Sequence, residues 1–220
     1  MQESPTGFDL KKLQAWSGIV FFVFVVLHLI NTWLGALGPE VYNGVQQLLR
    51  VIYQFPPIEA LVLAAGLVHI IVGLVRIKIE PKRELTLRAR MHRYAGLFLA
   101  LVIAGHVTAV RGPSMFLDIY PGFHGLAFSV DAVPMYFFPY YFLLAVAGFY
   151  HGLNGFSIAM SRVGGRFRIS NHRIASFTAI AAVLSLATLL ALAGTWHDLG
   201  NVYDNDFARL ALEIIGESAP

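Results

Sequence analysis

Residues 19–33 read IVFFVFVVLHLINTW. Extended on both sides to about residues 15–37, this run has the length a helix needs to cross the hydrocarbon core of a bilayer, about 20 residues. Its polar exception is His28, an imidazole flanked by Phe, Val and Leu where a side chain faces lipid or the inside of a bundle. Four further runs of the same kind lie at about 57–77, 94–111, 135–160 and 174–196. The 220 residues are 57% hydrophobic and only 13% charged, with a mean hydropathy of +0.64. A soluble chain is about half apolar and a quarter charged. The expected fold is therefore all-α: one domain, 1–220, an integral membrane bundle of five transmembrane helices. The first run is too long, and its flank WLGALGPE too poor a cleavage site, for a removable signal peptide, so it reads as a true span.

Charge gives the expected orientation. The segment RIKIEPKRELTLRARMHR between the second and third runs holds Arg76, Lys78, Lys82, Arg83, Arg88, Arg90 and Arg93. The segment SRVGGRFRISNHR between the fourth and fifth holds Arg162, Arg166, Arg168 and Arg173. With Lys11 and Lys12 before the first run, three segments on one side carry nearly all the positive charge, whereas the opposite loops show mainly Arg50 and Arg111. The positive-inside rule then makes the N-terminus cytoplasmic and the C-terminus external. The sequence pI of about 9.3 follows from this topology and does not indicate a nucleic-acid partner. With no cysteine, the chain forms no disulfide, thiolate metal site, cysteine-ligated iron-sulfur cluster or covalent c-type haem. Two non-membrane stretches, GPEVYNGVQQLLRVIYQFPP and DNDFARLALEIIG, have apolar residues at helical spacing. Each reads either as an interfacial helix or as ordinary amphipathic packing against the bundle.

Four of the eight histidines fall inside the spans, one on each of the first four: His28, His69, His106 and His151. A polar imidazole without a partner is unfavourable there. His106 stands 78 residues after His28, and His151 stands 82 after His69, so the first two spans are repeated by the next two. The span entrances repeat as well, as LQAWSG at Gln14, MHRYAG at His92 and NHRIAS at His172. In this topology His28 and His106 lie toward the outer half and His69 and His151 toward the inner half. Two pairs at two depths suit two stacked bis-histidine metal centres. A proton relay would recruit Asp or Glu within the spans, where only Glu59 is available, at an edge. A tetrahedral site would need all four histidines at one depth. A planar haem takes two axial imidazoles from opposite sides in an apolar pocket, and Gly66, Gly73, Gly105, Gly148 and Gly152 lie near the ligands, although glycine also serves plain helix packing. Gln14, His92, Arg93, Arg162 and His172 stand at the inner span ends, where haem propionates need basic or amide partners, and where topology alone also places basic residues.

The four span histidines in order, FYHGLNG around His151 and RMHRYAGLFLALVIAGH before His106 resemble the dihaem cytochrome b membrane subunit of succinate dehydrogenases and fumarate reductases, in its single five-span form. The similarity covers about residues 10–196. It implies that His28 and His106 ligate an outer haem b and His69 and His151 an inner one. It further implies that Gln14 and Arg162 contact propionates. The implied partners are a flavoprotein and an iron-sulfur subunit on the cytoplasmic face of a bacterial cytoplasmic membrane, with a quinone, menaquinone, as substrate. Phe149 stands where some members carry an acidic residue linked to transmembrane proton movement, so that route is not expected here. For the quinone, Glu40, Tyr42 and Arg50 are available on the outer side, along with Asp118 and His124, as are the alternatives that these are solvated loop residues. A cytochrome b subunit of another quinone-linked dehydrogenase or hydrogenase, and a haem-free anchor or transporter, remain the competing readings.

Overall fold

The computed structural model describes residues 9–81 and 84–217, which leaves Lys82 and Arg83 of the basic segment outside the described residues. Among the described residues the chain is all-helical: α1 Leu10–Leu34, α2 Pro39–Tyr53, α3 Pro56–Ile79, α4 Leu87–Phe116, α5 Phe123–Ala132, α6 Pro134–Arg162, α7 Asn171–Leu192 and α8 Asp206–Ile215, with a short 3-10 turn at Gly35–Leu37. Five of these, α1, α3, α4, α6 and α7, are long and apolar enough to cross a membrane. Local chemistry starts them. The Asp9 carboxylate accepts from the Lys11 and Lys12 amides ahead of α1, Thr86 from Ala89 ahead of α4 and Ser170 from Arg173 ahead of α7, which satisfies amides that a helix start leaves without partners. Prolines occupy the first turns of α2, α3 and α6, where no amide is needed.

Several boundaries differ from the expected ones: α1 starts at Leu10, about five residues early, and α4 runs on to Phe116, about five residues late. The third span starts at Leu87, seven residues earlier, because the polar first turns of α4 continue the helix under a Thr86 cap. The fifth ends at Leu192, four residues earlier, since the backbone turns at Gly194, φ 73°, which glycine adopts without a Cβ penalty. Both amphipathic stretches are helical, as α2 and α8, and α5 is a third short helix in a stretch expected to be outer loop.

The spans alternate in direction, and one end of the bundle carries the basic segments. At the other end α2, α5 and α8 pack over the outlet of α6 and α7. The cluster of Tyr42, Phe123, Ala127, Val130, Leu189, Ala191 and Leu192 is the best-buried apolar region of the chain, extended by Phe128, Ala208 and Leu212 under α8. The spans themselves leave large apolar side chains outward, among them Leu61, Leu101 and Val183, as lipid-facing helices do. α1 packs closely on α3 and α6, and α4 and α7 pack on α6. Neither α1 with α4 nor α3 with α6 is among the extensive helix contacts of the described residues. These two loosely packed combinations are the ones that carry the histidine pairs.

Two histidine pairs across the bundle

His28 of α1 stands opposite His106 of α4 with ring centres 6.1 Å apart and ring planes inclined at 70°. His69 of α3 faces His151 of α6 with ring centres also 6.1 Å apart, at 80°. With a metal-imidazole nitrogen bond of about 2.0–2.1 Å, and that nitrogen about 1.2 Å from its own ring centre, two rings on opposite sides of one metal stand about 6.4 Å apart. The spacing suits one metal between each pair. Among the described residues no group of three or more His, Cys, Asp or Glu converges in a way that could hold an ion, so the four imidazoles do not form a single tetrahedral cluster.

The pair at the basic end is oriented by the backbone. His69 Nδ1 lies 3.1 Å from the carbonyl of Gln14, and His151 Nδ1 lies 3.1 Å from the carbonyl of His92. A carbonyl oxygen only accepts, so each Nδ1 carries the proton and each Nε2 keeps its lone pair free, the tautomer a ligand histidine needs. The fit is tight: a Cβ at Gly18 would stand 2.8 Å from the His69 ring, and one at Gly96 would stand 2.6 Å from the His151 ring. Gly18 follows Gln14 by four residues and Gly96 follows His92 by four, so carbonyl and clearance sit one helical turn apart in both halves of the repeat. The repeat extends to Gly73 and Gly155, where a Cβ would meet the Gln14 amide at 3.0 Å and the His92 ring at 3.3 Å.

Polar side chains surround this pair. The Gln14 side chain accepts from Arg76, whose Nε donates to Glu80 at 3.0 Å. Arg88 Nε donates to Asn154 Oδ1 at 2.6 Å, and its Nη1 reaches the Ile169 carbonyl at 2.8 Å and Asn171 at 3.1 Å, which ties α4 to α6 and to the start of α7. The His92 ring lies parallel on His151, centres 4.1 Å apart. His92 Nδ1 and Asn154 Nδ2 are both buried without a hydrogen-bond partner. Such atoms are costly in a native structure, and beside a histidine pair they suit the carboxylates of a bound group.

Not every expected residue gathers here. Arg93 lines a surface depression on the opposite side of α4 from the histidines, with Glu84, Leu85, Arg90 and Tyr94. Arg162 ends α6 in its exposed last turn, eleven residues and so about 16 Å along the helix from His151. His172 is exposed at the start of α7. In their place are Arg76, Arg88 and Asn154; the seven-residue step from His69 to Arg76 and the Asn of FYHGLNG were the visible signals for two of them.

On α1 and α4 the far pair lies fourteen residues beyond Gln14 and His92, about 21 Å along each helix. No hydrogen bond of the described residues reaches the His28 or His106 ring. Instead His28 stacks on Phe24, centres 5.6 Å apart at 14°, and Phe24 meets Tyr53 of α2 edge-on at 5.4 Å. Beyond it lies a polar ladder on one face of α2: Arg50 donates to Gln46 at 2.8 Å, Gln46 to the Tyr42 hydroxyl at 3.1 Å, and the Arg50 guanidinium lies 4.1 Å over the Tyr120 ring. Burial holds Tyr42 and Tyr53 above the usual tyrosine range and pulls Arg50 below the usual arginine range. Arg111, five residues after His106, forms a two-pronged ion pair with Glu59, its Nη2 at 2.9 Å from Oε2, and donates to Ser114 at 2.9 Å. Glu40 stays exposed in the first turn of α2, off the Tyr42–Arg50 face. Asp118 is exposed with φ 57°, and the His124 ring meets the Phe123 ring with centres 6.1 Å apart. Phe149 packs edge-on against Trp33, centres 5.4 Å apart.

The class these features define is a multi-pass helical bundle with paired histidines at two depths. Compared with protein-family models, curated proteins and solved structures, the chain matches none.

Proposed function

We propose that the protein is the membrane anchor and electron-transfer subunit of a succinate:quinone oxidoreductase, holding two b haems. The observation that carries this is the pair of histidine pairs, each spanning helices that do not pack closely on one another, with equal ring separations of 6.1 Å. His28 with His106 and His69 with His151 would hold the two groups through their ring nitrogens. His92 and Asn154, with Gln14 beside Arg76, would meet the carboxylates of the group at the basic end. A bis-histidine haem supplies one-electron transfer at a potential set by ligation, burial and nearby charge. The basic end faces the cytoplasm and docks an iron-sulfur subunit joined to a flavoprotein, since nothing in this chain would oxidise succinate.

The quinone, menaquinone in this reading, sits at the far end beside His28. Arg50 and Tyr53 offer donors to its carbonyl oxygens, and the chain Arg50–Gln46–Tyr42 connects that point to the outer cap. Glu59, paired with Arg111, would supply a carboxylate near that site. Succinate added to native membranes should reduce a b-type spectrum that copurifies with this chain. The proposal fails if the chain purifies with haem while succinate and fumarate leave its redox state unchanged in membranes that retain both activities.

A further inference from the structure

The depression lined by Glu84, Leu85, Arg90, Arg93 and Tyr94 has a volume of about 530 Å³. It opens on the first turns of α4 at the basic end. At 100° per residue, Arg90, Tyr94, Leu97 and Leu101 fall within an arc of about 60°, and that arc points roughly opposite to His92 and His106. Tyr94, Leu97 and Leu101 are exposed, Leu101 at 81%, and none of the hydropathic core of α4 is buried inside the bundle. One outward face thus joins an apolar stripe, deep in the membrane, to the Arg90 guanidinium and the Tyr94 phenol at its edge, with the half-buried Arg93 about 60° to the side of Arg90 in the same depression. Among the described residues neither Arg90 nor Arg93 has an ion-pair partner, and Glu84, the one carboxylate of the lining, bridges to neither.

We infer that this groove is a binding site for one anionic phospholipid, its phosphate held between Arg90 and Arg93 and one acyl chain lying along Leu97 and Leu101. The occupant is set by complementarity at both ends. Guanidiniums favour phosphate through paired N–H donors. A soluble protein would match the charge but not a leucine stripe continuing into the hydrocarbon, whereas a lipid matches both. Basic pockets at the ends of spans are recurrent headgroup sites, and each Lys or Arg near an anionic leaflet contributes about a fivefold gain.

The test uses the full chain, purified from its own membranes in neutral detergent with whatever subunits it carries. Dioleoylphosphatidylglycerol or dioleoylphosphatidylcholine is added, and retained lipid is read by native mass spectrometry. One phosphatidylglycerol per chain should be retained where phosphatidylcholine is not. Arg90→Gln with Arg93→Gln should weaken retention by roughly 10–30-fold, and Arg90→Lys with Arg93→Lys should keep most of it, which separates lost charge from lost folding. Equal retention of the two lipids would overturn the assignment. So would undiminished retention by the glutamine variant, displacement by an excess of inorganic phosphate, or retention by the bare chain that disappears wherever a soluble subunit is bound. The site stands apart from the histidine pairs, so a chain without haem would still be expected to hold the lipid.

Discussion

The two histidine pairs have the same ring separation and are held in different ways. At the basic end each imidazole is fixed by a main-chain carbonyl and a glycine clearance, so its tautomer and direction follow from helix geometry. At the far end the rings rest on aromatic packing and lie beside an ion pair and a buried polar ladder. Under the proposed function, the first arrangement suits a centre that only passes electrons. The second has donors, a carboxylate and a cation nearby, as a centre next to a quinone would need.

The sharpest break of the comparison removes ligands. His69→Ala should abolish the basic-end haem and leave one haem per chain, and His28→Ala should do the same for the far one. The two residual reduced-minus-oxidised spectra should differ and sum to the wild type. Loss of both haems in either variant would mean that the centres are not independent.

The clearances come next. Gly18→Val or Gly96→Val pushes a side chain into a ligand ring, an overpacking that costs about 1–3 kcal/mol, and should deplete the basic-end haem alone. Gly105→Ala, where a Cβ meets nothing within 4 Å, should leave both spectra unchanged and raise helix stability by up to about 1 kcal/mol. Haem quantification with thermal unfolding measures both effects.

The far end is addressed by charge. Glu59 and Arg111 have side chains 17% and 23% exposed. Removing either leaves a poorly solvated charge without its partner, whereas removing both does not. A double-mutant cycle with Glu59→Gln and Arg111→Gln should give a coupling of about 1–3 kcal/mol in stability. The single variants should slow quinone turnover without changing the basic-end spectrum. Additive effects would place the pair outside any shared network.

The smallest effect is a pH slope. Tyr42 and Tyr53 have their folded pKa values raised by burial. The unfolded chain ionises tyrosine near pH 10, so above that pH the unfolded state binds fewer protons and stability falls as pH rises. Tyr42→Phe should flatten this alkaline limb and cost about 1 kcal/mol at neutral pH through the lost Gln46 bond. An unchanged alkaline limb would show that Tyr42 is not the group responsible.

The five spans were legible because a membrane helix announces itself by length and apolarity, and the sorting of histidines by depth was legible because a helix rises evenly per residue. The carbonyls behind His69 and His151 were not, since every residue carries the same main-chain acceptor and only the fold selects Gln14 and His92. The glycines at 18 and 96 read equally as helix packing until the rings beside them were placed. Arg88 was counted with the topogenic charges, because its partners Asn154 and Ile169 lie more than sixty residues away in the chain. The short α5 lies in a stretch that reads as outer loop, because ten residues behind Pro121 and Gly122 are too few to show a helical period.

The most direct measurement is the haem content of the purified chain, taken as haem b per polypeptide with a dithionite-reduced minus oxidised spectrum. The account predicts two b haems per chain, each lost separately with its own histidine pair. A chain that reaches the membrane, folds and retains its lipid yet contains no haem, after controls for loss during extraction, would contradict it.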